Sequence, residues 1–404
     1  TIVADPVEKF GPKSGPLRQL TWLLEPGWVA ALKVMYFCPA MLSLPSGPLN
    51  RTWFHLLAWP LSWVYGLIMW LRNLAYDQGW LKSTSPSVPV VCIGNLNAGG
   101  SGKTPHTETV AAYLHESLGL IAILSRGYGR RTKGFHLAGE GDNPGTLGDE
   151  AYMLFAKLPF VPLAVCEDRL EGLRQLQARF PNLKAVVMDD GFQHRRLKPH
   201  LSFVLSDYSK PFFEDHLLPW GTLREPWKGY RRANLVVFTK CPPSLRLYDR
   251  KFYSGKIAGL SPDKVLYSSI EHLDPVFMEP FEQSPLEPQG HYLLVTGIAN
   301  PDLLGNHLND QGLIYKHLCY EDHIEYTPER LDEILDAFRA LHGPNRAVIT
   351  TEKDLVKLAP HRDFFVQHSM PLAYIPIQIE FPERDRRLLV QHLNAFVTQC
   401  RERQ

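Results

Sequence analysis

Apolar positions change their rhythm along the chain, and each rhythm predicts a different kind of element. Between Arg51 and Arg72 the run TWFHLLAWPLSWVYGLIMWL carries no charge, and as a helix it approaches the thickness of a bilayer core. Pro60 stands near its middle, and His55 and Ser62 interrupt it. Trp53, Trp59, Trp63 and Trp70 belong to a residue type enriched at membrane interfaces. These features favour a helix lying in, or shallowly entering, a membrane interface, with a true span and a buried soluble helix as alternatives. Upstream, Leu20 to Leu44 is apolar but broken by Pro26, Gly27 and Pro39, and it reads as an irregular or second membrane-facing segment.

From Val88 onward short β-branched runs alternate with amphipathic stretches, the pattern of a mostly parallel sheet covered by helices. Strands are predicted at Val88 to Leu96, Leu120 to Ser125, Val161 to Cys166, Lys184 to Met188, Leu201 to Leu205 and Asn234 to Phe238. Helices at Lys103 to Ser117 and Arg169 to Arg179 fit between them. A stretch holding Pro275, Pro280, Pro285 and Pro288 reads as a linker. Beyond it a second run begins with a strand at His291 to Thr296 and a helix at Pro328 to Leu341. Strands at Ala347 to Thr351 and Leu372 to Ile379 and a closing helix at Arg384 to Cys400 complete it. The expected fold class is α/β, with a P-loop NTPase-like, mostly parallel sheet flanked by helices. An N-terminal hydrophobic membrane helix precedes it and a smaller C-terminal α/β domain follows. The expected boundaries are 1–86 for the extension and membrane helix, 87–272 for the core domain, 273–289 for the linker and 290–404 for the second domain.

Composition narrows the partners. Hydrophobic residues at 45% and charged residues at 21% describe a globular chain and leave no room for long disorder. A net charge of +1 argues against a nucleic-acid partner held by wholesale counterion release. The six cysteines are scattered without a C-x-x-C pair, so neither a disulfide framework nor a zinc site is expected, and a reducing compartment fits. The chain opens on Thr1 and not on methionine, as a trimmed or processed start would, and its first residues lack the features of a secretory signal.

The sharpest chemistry lies in GNLNAGGSGKT, Gly94 to Thr104, directly after a predicted strand and before a predicted helix. Gly99, Gly100 and Gly102 let successive backbone N–H groups turn onto phosphate oxygens, and the helix start adds the positive end of its dipole. Asn97, Ala98 and Ser101 complete the wrap. Lys103 reaches the β and γ phosphates of ATP, and Thr104 can ligate Mg²⁺. Asn97 stands where the usual motif has its first glycine, a position where asparagine tolerates left-handed backbone. A second element, the apolar run Ala185 to Met188 ending in Asp189 and Asp190, has the form of a strand tip whose carboxylates hold the metal beside that loop.

Two further groups are weaker. An acceptor hydroxyl needs a base, and a carboxylate backed by histidine is a workable one. Gly148-Asp149-Glu150 and Asp322-His323 offer such a pair, yet by spacing alone Asp149 reads as a helix cap and His323 as a structural histidine. Basic residues cluster at Arg126, Arg130 and Arg131, at Arg169, at His194-Arg195-Arg196 and at Arg224. One or two of these guanidinium groups suit a phosphate, and the rest read as solvated surface.

Taken together the motifs resemble the lipid A 4'-kinase family. The matching segments are GNLNAGGSGKTP, SRGYGRR, GDEAYML, CEDRLEG, MDDGFQHRRL, LLPWGTLREP, FTKCP, TGIANP, EDHIEY and TTEKD, in family order from Gly94 to Asp354. The resemblance implies ATP-dependent, Mg²⁺-requiring phosphorylation of the 4'-hydroxyl of a tetraacylated glucosamine disaccharide 1-phosphate, giving lipid IVA. It places that reaction at the cytoplasmic face of the bacterial inner membrane, so the implied partners are an acylated disaccharide phosphate and a membrane surface. Carried onto this sequence, it makes Asp149 the base assisted by His323, gives Lys103 and Thr104 the phosphates and metal, and gives Asp189 and Asp190 the metal. It puts Arg126, Arg169, Gln193, His194, Arg224 and Glu225 around the site. The hydrophobic helix before the first strand also resembles the family's N-terminal membrane helix. The chain departs from the family in the residues before Pro45, which exceed the usual start, and in Ile324, where a second histidine is common.

A membrane-bound nucleotide switch acting on a protein partner is the competing reading. In its guanine-specific form it needs an acid after Thr239-Lys240, and Pro242 stands there instead. A non-enzymatic scaffold is disfavoured because Lys103, Asp189 and Asp190 are all present.

Overall fold

The computed structural model describes residues 48–282, 285–288, 290–322, 324–343 and 345–403, with side chains described from Ala58 onward. The apolar segment expected at 20–44 lies outside the described residues. Two compact units divide the chain, residues 1–64 with 218–220, and residues 65–217 with 221–404.

Helix α1, Pro48–Asp77, covers the whole uncharged run. No helix among the described residues is long and apolar enough to cross a membrane, which corrects the spanning alternative and leaves an amphipathic helix. In the first unit Trp59 and Trp63 are exposed, with ring centroids 6.1 Å apart in an edge contact. In the second unit Leu67, Trp70 and Leu71 continue the exposed apolar set, while Tyr65 and Met69 are buried. Tyr65 Oη donates to the Arg224 carbonyl at 2.6 Å, and Arg72 Nη2 donates to the Gln193 carbonyl at 3.0 Å. Positions 65, 69 and 72 repeat at helical spacing and form the inner face.

The first sheet is built from β1 (Val90–Asn95), β2 (Ile121–Ser125), β3 (His136–Leu137), β4 (Leu163–Val165), β5 (Ala185–Asp189), β6 (Leu201–Asp207), β7 (Leu235–Thr239) and β8 (Val265–Tyr267). Its order is β3-β4-β2-β5-β1-β6-β7-β8, parallel except for β3. Every residue of β1, β2 and β5 is buried, as expected for strands covered on both faces, so the sequence shows mostly apolar runs and no alternation. Helices α2 (Lys103–Leu118), α3 (Asp149–Lys157) and α4 (Arg169–Arg179) flank it, and a further helix, α5 (Leu247–Lys256), follows β7.

The second sheet, in the order β10-β14-β13-β11-β12, comprises β10 (Val276–Phe277), β11 (His291–Thr296), β12 (Ile314–Cys319), β13 (Arg346–Thr351) and β14 (Leu372–Ile375). Its helices include α6 (Asp302–Asp310), α7 (Pro328–Arg339) and α8 (Glu352–Leu358). The expected linker therefore contains a strand, β10, paired antiparallel with β14. The single strand expected at Leu372 to Ile379 splits at Pro376, which has no N–H to give a ladder. Its second half, β15 (Ile377–Glu380), turns away to pair with β9 (Ser269–His272). The closing helix α9 (Glu383–Glu402) was expected in the second domain, yet Leu389, Leu393, Phe396 and Val397 pack into the core of the first sheet. The chain thus returns to its first sheet, and the β9–β15 ribbon is the seam between the two sheets.

Candidate functional site

The site forms where β1, β5 and β7 end. β1 delivers the glycine-rich loop to the start of α2, and Ile93 lies in register with Asp189 on the neighbouring β5, so the acids fall beside the loop. Gly102 caps α2 with φ +77°, a conformation that costs a side-chain-bearing residue. Asn97 does not use left-handed backbone. Its amide instead donates to Asp215 Oδ2 at 2.6 Å and Thr222 Oγ1 at 3.2 Å, and the Ala98 N–H donates to the Thr222 carbonyl at 2.6 Å. A side chain with two N–H donors is used where glycine would leave the loop untied.

Lys103 is buried, with Nζ 4.0 Å from Asp190 Oδ1. Arg224 Nη1 donates to both Asp190 oxygens, at 3.1 and 3.0 Å. Burial opposes the Asp190 charge, but Lys103, Arg224 and Arg169 together hold its carboxyl well below the usual range. Asp189 has the opposite environment. Its two oxygens accept only hydroxyls, from Thr107 and Ser125 at 3.1 Å each. Burial first, then the charges of Glu150 and Asp190, push its carboxyl up to about 6 against the pull of Lys103.

These environments separate two residues that the sequence pairs. Asp190, the second acid of the expected metal set, has its carboxylate engaged by guanidinium and ammonium, while Asp189 faces hydroxyls. Among the described residues no group of three or more His, Cys, Asp or Glu could hold a metal by itself. One hydroxyl and one crowded carboxylate suit a hard cation that is shared with a ligand's phosphates and keeps several waters.

The remaining predicted residues divide by what they touch. Gln193 Nε2 donates to the Asn95 carbonyl at 2.6 Å and to Glu225 Oε1 at 3.3 Å, and Arg232 holds both Glu225 oxygens at 2.9 and 2.8 Å. Gln193 and Glu225 therefore brace the start of the loop, Gln193 through the Asn95 carbonyl. Arg169 is 3% exposed and donates to the carbonyls of Cys166, Glu167 and Asp190. Burial and then the neighbouring Arg126 charge lower its pKa to about 10. His194 is lowered to about 4 by burial and by Arg169, so it is neutral near pH 7. Arg126 is exposed at the end of β2.

A cavity of about 190 Å³ opens at the loop. Gly100 to Pro105, Glu150 and Lys240 line it from the first sheet, and Ile298, Asn300, Leu303, Asp322 and Lys353 from the second. Asp149 opens α3 next to Glu150. Gly148 precedes it at φ +88°, where a Cβ would strike the Tyr128 carbonyl, so the GDE and SRGYG segments lock together. Asp149 Oδ2 lies 3.0 Å from Lys357 Nζ on α8, and Lys353 Nζ donates to Asp322 Oδ1 at 2.8 Å. His323 lies outside the described residues. Glu150, Lys240, Lys353 and Lys357 received no role from the sequence, although Thr351-Glu352-Lys353-Asp354 has the form of a helix-capping box and Thr351 does cap α8.

The raised Asp189 carboxyl carries a stability consequence. A folded-state pKa near 6 against an ordinary 3.8 means that the native state is favoured at low pH and loses that advantage as pH rises through 6. Asp189→Asn is expected to stabilise the nucleotide- and metal-free protein at pH 8, and by less at pH 5. Thermal melts of both proteins at the two pH values check this, and a variant less stable at pH 8 contradicts it.

Comparison with known proteins agrees with the geometry. The profile of the tetraacyldisaccharide-1-P 4'-kinase family matches residues 54–395. The tetraacyldisaccharide 4'-kinase of Bacteroides thetaiotaomicron is 36% identical, over 85% of this chain and 93% of that protein. That of Cytophaga hutchinsonii is 40% identical, over 83% and 93%. Among solved structures, LpxK from Aquifex aeolicus in complex with ATP matches with a TM-score of 0.60 and 26% identity, covering 83% of this chain and 97% of that one. The match runs through the glycine-rich loop, the paired aspartates and α8, and the chain belongs to the tetraacyldisaccharide-1-P 4'-kinase family, phosphotransferases with an alcohol acceptor.

Proposed function

We propose that the chain transfers the γ-phosphoryl group of ATP to the 4'-hydroxyl of a tetraacylated glucosamine disaccharide 1-phosphate, forming lipid IVA in lipid A biosynthesis. The observation that carries this reading is the buried Lys103, 4.0 Å from Asp190, at the mouth of a cavity lined by Gly100 to Thr104. In the reaction the 4'-oxygen forms a bond to the γ-phosphorus, the bond from that phosphorus to the ADP oxygen breaks, and the hydroxyl proton passes to Asp149. Lys357 supports this role for Asp149 by position, because its ammonium 3.0 Å away holds the carboxylate in one place from which to accept the proton. His323 follows Asp322, which lines the same cavity, and would assist. Thr104 and Asp189 would hold Mg²⁺, which when bound neutralises charge across the β and γ phosphates. Arg126 and Arg169, two cations that raise each other's need for an anion, would meet a phosphate of the substrates.

A substrate with four acyl chains stays in its bilayer, so the enzyme must come to the membrane. We place the reaction at the cytoplasmic face of the inner membrane. The support is α1, where Trp59, Trp63, Leu67, Trp70 and Leu71 are all about half exposed or more, an outer apolar set with tryptophans suited to the headgroup region.

Purified protein with labelled ATP, Mg²⁺ and the disaccharide 1-phosphate in detergent is expected to yield a labelled lipid. Lys103→Ala and Asp149→Ala should each lower that transfer at least ~100-fold while the fold survives. ATP hydrolysis with no labelled lipid would turn the reading toward a nucleotide switch. Replacing Trp59, Trp63 and Trp70 together by serine should weaken vesicle flotation roughly tenfold or more, and undiminished flotation would remove α1 from membrane contact.

A further inference from the structure

A loop that turns its amides inward must turn carbonyls outward, and those carbonyls take donors from the protein or from water. Three successive carbonyls of this loop are met by side chains, that of Gly102 in addition to the His106 backbone N–H at 3.3 Å. The Gly100 carbonyl accepts from Lys240 Nζ at 2.6 Å, and the Ser101 carbonyl accepts from Thr239 Oγ1 at 3.0 Å. The Gly102 carbonyl lies 2.7 Å from His106 Nδ1.

Each donor is itself held. Lys240 Nζ also donates to Asp207 Oδ2 at 2.8 Å, and Asp207 Oδ1 accepts from the Ser209 N–H at 2.9 Å and hydroxyl at 2.6 Å. Thr239 ends β7 with 1% exposure. His106 is buried on α2 and its Nε2 lies 3.0 Å from Ser268 Oγ, at the residue that leads into the β9–β15 ribbon. With Nδ1 protonated and Nε2 accepting, both ring nitrogens are satisfied. Lys240 takes φ +58°, a left-handed turn that brings its ammonium back over the loop instead of along the strand.

We propose that Lys240, Thr239 and His106 form a carbonyl clamp that sets the phosphate loop in its ligand-ready form before nucleotide arrives, with Lys240 the strongest member. They are positioning residues. Preorganised amides bind phosphate without the cost of ordering the loop, so the clamp contributes to nucleotide affinity and not to the bond-making step. This rests on the nucleotide reading of the cavity given above. Lys240 also lines that cavity, and the rival role is a direct contact with the terminal phosphate.

The two roles separate in binding measurements on the full chain without lipid. The dissociation constants of ATP and ADP are compared for the unmodified protein, Lys240→Met and Thr239→Val, with thermal melts confirming the fold. The clamp predicts that both nucleotides weaken by the same factor, about tenfold for Lys240→Met and about threefold for Thr239→Val. Lipid phosphorylation at saturating ATP should stay within about threefold of the parent, the loss appearing in KM. A much larger loss for ATP than for ADP would assign Lys240 to the γ-phosphate and overturn the clamp. Unchanged affinities, or a fall in kcat at constant KM, would overturn it as well. If the unmodified protein binds neither nucleotide, the nucleotide reading itself fails, and the clamp with it.

Discussion

Five charges share one largely buried corner of this molecule, and the rest of the site is arranged around neutralising them. Lys103, Asp189, Asp190, Arg169 and Arg224 meet at the ends of β1 and β5, and burying any of them alone would cost several kcal/mol. Asp190 is the pivot. It draws Lys103 from the loop and Arg224 from the segment after Gly221, and its carbonyl takes Arg169 from α4. The balance is incomplete at Asp189, whose carboxyl is pushed up to about 6 by burial and by neighbouring acids.

The second sheet contributes through α8. Its lysines meet Asp149 and Asp322, and its Glu352 meets Lys157 at 3.1 Å. One short helix therefore joins the acid that opens α3 to the wall of the cavity opposite the loop. The return of α9 to the first sheet and the β9–β15 ribbon connect the same two sheets.

Legibility in the sequence followed burial. Strands β1, β2 and β5, covered on both faces, print apolar runs without alternation and lie within a few residues of their expected ends. β12 was missed because it is an edge strand whose Ile314, Lys316 and His317 face solvent, leaving no apolar rhythm. The glycine-rich loop was legible because its glycines answer a backbone requirement. Asp189 and Asp190 were indistinguishable, since only the turn at Asp190, φ +46°, sends one carboxylate to Arg224 and leaves the other facing hydroxyls. Gln193 and Glu225 fall in motifs shared with the family, and a motif does not reveal whether a side chain faces ligand or braces the loop from behind. The Asp149–Lys357 pair joins positions far apart in the chain, and no local pattern announces it.

The most direct test of the account is a crystal structure with a non-hydrolysable ATP analogue and Mg²⁺. The account predicts the β and γ phosphates against the amides of Gly100 to Thr104, within reach of Lys103 Nζ, with the metal between them and Thr104. A nucleotide bound elsewhere, or phosphates held away from that strand-to-helix turn, would contradict it.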